Sequence, residues 1–435
     1  MSNHLMRSIF WLRRRSFIRI TQRTFVMLMP IATIGAYFKL FRDCIFSPDS
    51  FLYNIFNLDV NMSDRFWNIG SRLCSAMVQV TFGLFGIYAA YFAAMYTARI
   101  YKKDATMAGI TAAVVLTFCS YLESGNSGNN SQIVLYSRIL GINGVLFALI
   151  VGYFVGQIFR FLGHNYVHRE GEHTEGIQRR AWKSLRPSLS AIFIGFILGM
   201  ILYFFKFKIL DSEFAKNLVT QLRGSNNLLI IVPLTMLANF AWWSGLGYPI
   251  ISLSVTNNSG SAIANLNAVL QSGNSANVPY PFLGSSIVQG YGLMGDAAVA
   301  LALTVALLLF SKNKEVEKIS KLNILPVTFG AKNGFEIGIP VLLNPTYLLP
   351  IVIVPAINEL LAASAISLHW IQPNVYPVLH GVPGILIPFF GTNGNWSSLI
   401  FAIILFVIDI LIFIPFVKIG IKIDEELRKY DEAKV

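Results

Sequence analysis

The chain has 435 residues, of which 54% are hydrophobic and 13% are charged, and its formal net charge is +12. A soluble domain carries about 25% charged residues, so this composition excludes both a soluble globular protein and a disordered one. The lysines and arginines lie between long apolar runs, where they are typical of charges at a membrane surface. The composition therefore predicts a membrane protein with many spans and no nucleic-acid partner.

The N-terminal segment, residues 1–24, contains six arginines and no acidic residue. Because arginine and lysine concentrate on the cytoplasmic side of a membrane, we expect this segment to be cytoplasmic. No small-residue cleavage site follows the first apolar run, so the start is not typical of a cleavable signal peptide. Segments 160–186 and 311–321 and the tail at 421–435 also carry several lysines and arginines, which predicts a cytoplasmic C-terminus as well.

A helix needs about 20 apolar residues to cross the hydrocarbon core of a bilayer. Both ends of the chain are expected on the same side, so the number of crossings should be even, and ten fits the apolar content best. Runs of suitable length and composition occur at residues 25–40, 75–98, 105–122, 139–159, 187–205, 228–255 and 397–417.

Two stretches in the second half are apolar but interrupted by loop-forming residues. Residues 257–260 and 271–277 are mostly Asn, Ser and Gly within a long uncharged region, and glycines and prolines punctuate residues 333–358. These stretches are either extracellular loops with little charge or re-entrant hairpins. Irregular backbone at membrane depth is tolerated only where it lines a protein cavity. The pattern favours two re-entrant hairpins and a binding site between them.

The sequence has no P-loop, no HExxH motif and no nucleophile elbow, so it predicts neither an ATP-driven engine nor a soluble catalytic domain. No cofactor is expected. Its three cysteines lack metal-ligand spacing and are typical of apolar packing residues. The nearby histidines of the basic segment give only a weak metal signal, and no metal site is expected. These residues are Cys44, Cys74, Cys119, His164, His168 and His173.

Ionisable residues within apolar runs are functional candidates because burying them in a membrane is costly. Glu336, Glu359 and Asp409 meet this criterion, together with His369 and His380. Sugars are bound by carboxylates and amides, which meet the hydroxyls, and by aromatic faces, which meet the C–H surfaces. The two interrupted stretches supply such side chains in Asn239, Trp242, Trp243, Asn333 and Asn344.

Several short motifs resemble the membrane subunit IIC of the bacterial phosphotransferase system, in the branch of lactose, cellobiose and diacetylchitobiose permeases. The similarity is distributed in order over residues from about 20 to 420. It is carried by Leu28-Met-Pro-Ile-Ala-Thr-Ile-Gly35, Leu325-Pro326, Gly338-Ile-Pro-Val-Leu-Leu-Asn-Pro345, Pro355-Ala-Ile-Asn358 and Thr392-Asn-Gly-Asn-Trp396.

The resemblance implies an all-α polytopic protein of the bacterial cell membrane, with about ten transmembrane helices and two re-entrant hairpins. It implies that residues 25–206 form a homodimer interface and that residues 207–420 bind the sugar. It also implies IIB and IIA proteins as partners. The expected sugar is a β-linked disaccharide such as cellobiose or chitobiose, and the expected substrate-binding residues are Asn239, Trp243, Asn333, Glu336 and Asn344.

Two positions depart from the family pattern. The family has a histidine where this chain has Gly247, and a glutamate where it has Asn333. In the family these residues hold the sugar hydroxyl and the incoming phosphoryl group. Glycine can do neither, and an asparagine amide cannot accept the proton of a hydroxyl at neutral pH. Only Glu336 and Lys332 are close enough in sequence to replace the lost groups.

Whether the chain is an enzyme therefore stays open at this point, and four functions are compatible with the sequence. The first is a phosphotransferase permease with a displaced active site, and the second is a carrier that does not phosphorylate its sugar. The third is a sugar-sensing receptor that signals to a cytoplasmic partner. The fourth is a structural or assembly role.

Overall fold

A computed structural model describes residues 3–121, 137–166, 174–205, 220, 224–246 and 259–432. Within these residues the regular secondary structure is helical, apart from two isolated β-bridges. Seven helical segments are long and apolar enough to cross a membrane, and two shorter apolar helices cover Ala105–Ser120 and Leu228–Trp243. The predicted all-α polytopic architecture is confirmed.

The first half contains three helices of four or five residues, α3, α4 and α8, among longer ones. Helix α1 precedes the first span, α2, and a π-helical turn at Gln79–Gly83 joins α5 to α6. The bounds are α1 Asn3–Arg13, α2 Ser16–Cys44, α3 Phe51–Ile55, α4 Leu58–Asn61, α5 Asp64–Val78, α6 Phe85–Ile100, α7 Ala105–Tyr121, α8 Ser137–Leu140, α9 Val145–Leu162 and α10 Thr174–Phe205.

The second half is more interrupted. Two π-helical turns, Val288–Gly292 and Ala297–Leu301, lie between α13 and α14, and a 3-10 turn at Gly384–Leu386 precedes α18. The bounds are α11 Leu228–Trp243, α12 Gly260–Ser272, α13 Gly284–Ile287, α14 Ala302–Phe310, α15 Lys314–Thr328, α16 Asn333–Gly338, α17 Leu348–Ser367, α18 Ile387–Gly391 and α19 Trp396–Glu432.

Several helices are longer than the apolar runs that predict them. Helix α2 begins at Ser16 rather than at residue 25, and α10 begins at Thr174 rather than at residue 187. The added turns carry arginines, whose long side chains reach polar surroundings while the helix continues. Hydropathy detects only the hydrocarbon part of such a helix.

The buried apolar side chains form two main clusters. One draws on residues 20–191, where alanines of α6 lie against α9, and also takes in Ile337, Leu342 and Leu343; the other draws on residues 231–417. Close approach of α6 and α9 depends on Gly152, because a Cβ at this position would overlap the carbonyl oxygen of Ala90. Small residues at a helix contact allow this approach inside a membrane protein.

The segment Gly284–Phe310 is a membrane-length helix with a break at its centre. Three consecutive residues at the break have positive φ angles: Met294 (46°), Gly295 (57°) and Asp296 (74°). A left-handed conformation costs a non-glycine residue about 1 kcal/mol, so surrounding contacts must hold Met294 and Asp296 in place. The break interrupts a region that the sequence predicts only as uncharged and loop-rich.

Helices α15 and α16 form a hairpin whose tip is at residues 329–332; of the second predicted interrupted stretch, 333–358, residues 348–358 lie instead in the continuous helix α17. The short helix α16 lies against the middle of α2. A Cβ added to Gly334 would lie 3.0 Å from Thr33 Cα, and one added to Gly338 would lie 2.8 Å from Met29 Cγ. Protein rather than lipid therefore covers this short helix, as a broken helix at membrane depth requires.

Candidate functional site

A cavity of about 670 Å³ lies in the second half of the chain. Its walls come from residues 262–295 and 374–387, and the tip of the α15–α16 hairpin contributes Phe329 and Gly330. A volume of this size is within the range of small-ligand pockets. Its amide and hydroxyl side chains are those of Asn265, Ser285, Ser286, Gln289, Asn374 and Tyr376.

The cavity lies at the end of the bundle where α2 ends and α19 begins. Asp49, which follows α2, lines it together with His380. Backbone hydrogen bonds tie these two segments: His380 N donates to Asp49 O and Phe51 N donates to His380 O, both at 2.9 Å. The loop after the first span thus fixes one wall of the cavity.

Asn374 has the chemistry expected of a sugar-binding residue. Within the described residues, neither its amide oxygen nor its amide nitrogen has a hydrogen-bond partner. Gly290 and Gly391 flank it closely, and a Cβ at Gly290 would overlap the Asn374 amide. An unpaired amide costs free energy unless a ligand or water satisfies it, and it can both donate to and accept from a hydroxyl.

A group of three charged residues, here called the charged cluster, lies next to the cavity and consists of Asp296, Lys332 and Glu336. Lys332 Nζ lies 2.8 Å from Asp296 Oδ1 and 3.5 Å from Glu336 Oε1. It also lies 4.1 Å from the centre of the Trp242 ring. The cluster therefore joins the helix break, the hairpin tip and the end of α11.

Two residues that shortly precede members of the charged cluster in sequence line the cavity. Gly295 precedes Asp296, and Gly330 lies two residues before Lys332. Glu336 is 2% exposed, and the Lys332 side chain is 16% exposed. Two carboxylates thus share one ammonium group in a mostly buried position. Both residues that could replace the lost family groups are bound within this cluster.

Three of the predicted substrate-binding residues have structural partners. Trp243 Nε1 donates to Asn344 O at 3.0 Å, which ties α11 to the segment after α16. The Asn344 amide donates to Pro340 O and accepts from Thr346 N, and the Asn239 amide donates to Thr235 O. These three residues are not among those that line the cavity.

The remaining predicted positions have different outcomes. Asn333 is half-buried at the start of α16, between Lys332 and Glu336 of the charged cluster in sequence, and does not line the cavity. Gly247 lies outside the described residues, as do His168 and His173. In the part of the chain that the structure describes, no group of three or more His, Cys, Asp or Glu residues has a geometry that could hold a metal ion.

The phosphotransferase system EIIC family model matches residues 22–355. The chain belongs to this family. The cellobiose-specific EIIC component of Lactococcus lactis subsp. lactis (strain IL1403) is 24% identical over 57% of the chain, and the match spans 54% of that protein. The oligo-beta-mannoside-specific EIIC component of Bacillus subtilis (strain 168) is 21% identical over 94% of the chain and 90% of its own length.

A solved structure also matches this EIIC chain. It is the crystal structure of the transporter ChbC, the IIC component from the N,N'-diacetylchitobiose-specific phosphotransferase system. The two chains are 20% identical, the match covers 96% of each, and the TM-score is 0.42.

The sequence did not predict that residues 374–387 form a wall of the cavity in this EIIC chain. Residues 374–387 were noted only for His380, yet Asn374 and Tyr376 lie there. The signal was present, because Pro373, Pro377 and Pro383 interrupt the segment as prolines do in the predicted stretch 333–358. Because no long apolar run surrounds these prolines, the segment does not meet the criterion that identifies the two interrupted stretches.

Replacing Lys332 by methionine should destabilise this EIIC protein, because the buried Glu336 and the 36%-exposed Asp296 would both lose their cation. Breaking a fully buried ion pair from one side costs about 3–5 kcal/mol; the exposure of Asp296 lowers this cost, and removing a second charge should recover part of it. We therefore expect a lower thermal midpoint in detergent for Lys332→Met and a partial recovery for Lys332→Met with Asp296→Asn.

The matched control is Lys318→Met, which removes an exposed lysine paired with Glu315 at 2.9 Å. Exposed pairs contribute about 0–1 kcal/mol, so its thermal midpoint should barely change. Equal midpoints for Lys332→Met and Lys318→Met would show that the charged cluster does not hold the helix break.

Proposed function

We propose that this EIIC chain binds a β-linked disaccharide such as cellobiose or chitobiose in the cavity and carries it across the membrane without phosphorylating it. Two of its relatives are named for cellobiose and for oligo-beta-mannosides, which are sugars with β-linkages. The observation that carries the proposal is Asn374, an unpaired amide in a cavity of disaccharide size.

The lining of the cavity supports a neutral, hydroxyl-rich ligand. Its polar side chains are mainly amides and hydroxyls, and the titratable residues among them are Asp49, Tyr376 and His380. Amides and hydroxyls can each donate and accept, which matches a sugar hydroxyl. Tyr376 adds an aromatic ring, whose face suits the C–H surface of a pyranose.

The absence of phosphoryl coupling rests on the residues at the family positions. Asn333 cannot accept the sugar proton, and Gly247 has no side chain with which to stabilise a phosphoryl group. Glu336 and Lys332 remain, but each is already within an ion pair, and Lys332 has Asp296 as its nearer partner. A binding site needs only donors and acceptors, so sugar binding does not depend on these groups.

The orientation is the one predicted from the basic N-terminus, with both termini in the cytoplasm. Two contacts between the ends of the chain support it. Arg13 Nη1 lies 2.7 Å from Asp424 Oδ1, and the Arg14 guanidinium lies 4.0 Å from the centre of the Tyr430 ring. Helix α1 and the end of α19 are therefore on the same side, and the cavity would face the extracellular half.

A homodimer through residues 25–206 is the proposed assembly. Apolar side chains of α10 such as Leu189 and Phe193 are exposed in the single chain, and lipid or a second copy would cover them. Native mass spectrometry from nanodiscs should count two protomers, and a monomer in both nanodiscs and mild detergent would contradict this assembly.

Substituting Asn374 by alanine should weaken sugar binding about tenfold, because one hydrogen bond to a buried amide is worth about 1–1.5 kcal/mol. Isothermal titration of the purified protein with cellobiose and chitobiose measures this change. The matched control is Asn68→Ala, an exposed asparagine of α5 far from the cavity lining, which should bind like the wild type. Equal affinities for Asn374→Ala and Asn68→Ala would refute this site.

The purified protein should form no sugar phosphate when supplied with phosphorylated IIB and radiolabelled cellobiose. The missing general base at Asn333 alone is expected to cost about 10²–10⁴-fold in transfer rate. An EIIC protein with the family histidine and glutamate serves as the positive control. Turnover close to that of the control would show that Glu336 or Lys332 has taken over the lost role.

A further inference from the structure

Two acidic residues that the cavity and the charged cluster do not use are buried in membrane-spanning helices. Glu359 lies near the middle of α17, and Asp409 lies near the middle of the apolar part of α19. Both are fully buried, as is Asn358 beside Glu359. A carboxylate at this depth is costly and is a functional candidate by default.

Glu359 packs against Gly292, which ends the first π-helical turn before the helix break, and Asp409 is linked to Gly292 through Asn358. The Asn358 amide donates to Asp409 Oδ2 at 3.1 Å and to Gly292 O at 3.4 Å. A Cβ at Gly292 would lie 2.9 Å from Glu359 Oε1, so the Glu359 carboxyl group packs directly against this glycine. The Thr235 hydroxyl of α11 faces the same carboxyl group. We call Thr235, Asn358, Glu359 and Asp409 the buried acid site.

The buried acid site contains oxygens without partners. Within the described residues, no hydrogen bond reaches either oxygen of Glu359, Oδ1 of Asp409, Oδ1 of Asn358 or Oγ1 of Thr235. All but the Thr235 hydroxyl can only accept, unless a carboxyl group carries a proton. Within the described residues, the donors at this site are therefore the Thr235 hydroxyl and the Asn358 amide, and no positive charge is paired with either acid.

The helices packed against the buried acid site supply no cation to it. Helix α11, α13 and the two π-helical turns carry no Asp, Glu, Lys, Arg or His, and Tyr291 among them donates to Gln372 O at 2.7 Å. On α19 the nearest lysine in sequence is Lys418, which lies over the Phe310 ring. Asp296 is bound to Lys332 in the charged cluster. None of the ion pairs in the described part of the chain includes Glu359 or Asp409.

We propose that the buried acid site binds protons and couples sugar movement to the proton gradient, in place of the phosphoryl transfer that the chain has lost. One proton adds to a carboxylate oxygen and later leaves from the same oxygen, so no other reactant is needed. A protonated carboxyl group is neutral, and its O–H can donate to the unpartnered oxygens of Asn358 and Thr235. The inference rests on the proposed carrier function.

A single short element connects the buried acid site to the cavity. Gly290 of the turn Val288–Gly292 lines the cavity beside Asn374, and Gly292 of the same turn contacts Glu359 and Asn358. A sugar that shifts this turn changes the surroundings of the acids, and a proton that binds there shifts the turn toward the sugar. Such coupling is reciprocal, so sugar and proton should each raise the affinity of the other.

Uptake of radiolabelled cellobiose into proteoliposomes tests the proposal, with the membrane potential clamped. An acid-outside pH gradient should accelerate wild-type uptake several-fold, and a protonophore should abolish this acceleration. Glu359→Gln imitates the protonated carboxyl group, so it should lose the acceleration while it keeps cellobiose binding and exchange at equal pH. The control Glu315→Gln removes an exposed acid and should respond to the gradient as the wild type does.

A second measurement does not depend on transport. Adding cellobiose to the detergent-solubilised protein in weak buffer should cause proton uptake, read with a pH indicator, and Glu359→Gln should lose part or all of it. Asp409→Asn reports the share of the second acid. Cellobiose binding by each variant shows that it has folded, and Glu359→Asp should retain proton uptake if Gln at this position disrupts folding.

Three results would overturn proton coupling: wild-type uptake that ignores the pH gradient, sugar binding without proton uptake, or equal acceleration in Glu359→Gln. Acceleration by a sodium gradient at equal pH, with no response to protons, would assign the site to sodium instead and would also overturn it. Failure to bind cellobiose, or uptake that requires phosphorylated IIB, would instead count against the proposed function.

Discussion

The ion pair between Lys332 and Asp296 holds together the two places where the helical backbone is interrupted. Asp296 closes a break with three consecutive positive φ angles, and Lys332 stands at the tip of the hairpin that meets this break. Backbone groups that leave a helix at membrane depth need protein partners, and left-handed residues need contacts that hold them. The charged cluster supplies the contact that positions the break, the hairpin and the cavity floor at Gly295 and Gly330.

The same cluster bears on the proposed loss of phosphoryl transfer. In a transfer site, a lysine and a glutamate near the substrate would act on a phosphoryl group and a hydroxyl. Here Lys332 lies between Asp296 and Glu336, and the position before the glycine of α16 is an amide, Asn333. The three charges of the cluster join the helix break to the hairpin tip.

The π-helical turn Val288–Gly292 places two kinds of polar group within one turn of backbone. On one side is the unpaired amide of Asn374 beside Gly290, and on the other are the acids beside Gly292. The glycines make both approaches possible, because a Cβ at either position would meet the neighbouring side chain. Turns of this kind inside helices are frequent at functional sites, since they free backbone groups and shift side chains out of register.

The sequence by itself determined the class, the spans and the family of this protein. Low charge and long apolar runs leave a polytopic membrane protein as the only packing solution, and the motif from Gly338 to Pro345 carries the family resemblance. It also singled out Glu336, Glu359 and Asp409, because an acid within an apolar run stands out whatever its partners are.

Only the tertiary structure decided which polar residues share a cavity and which hold the fold. Trp243 and Asn344 have the residue types of a sugar site, but the Trp243 ring donates to the Asn344 backbone, whereas Asn374 lines the cavity and its side-chain amide has no hydrogen-bond partner among the described residues. Lys332 and Asp296 are far apart in the chain and become one ion pair. The type of a residue indicates what its side chain can bind. Its actual partner depends on long-range packing, which no local sequence pattern encodes.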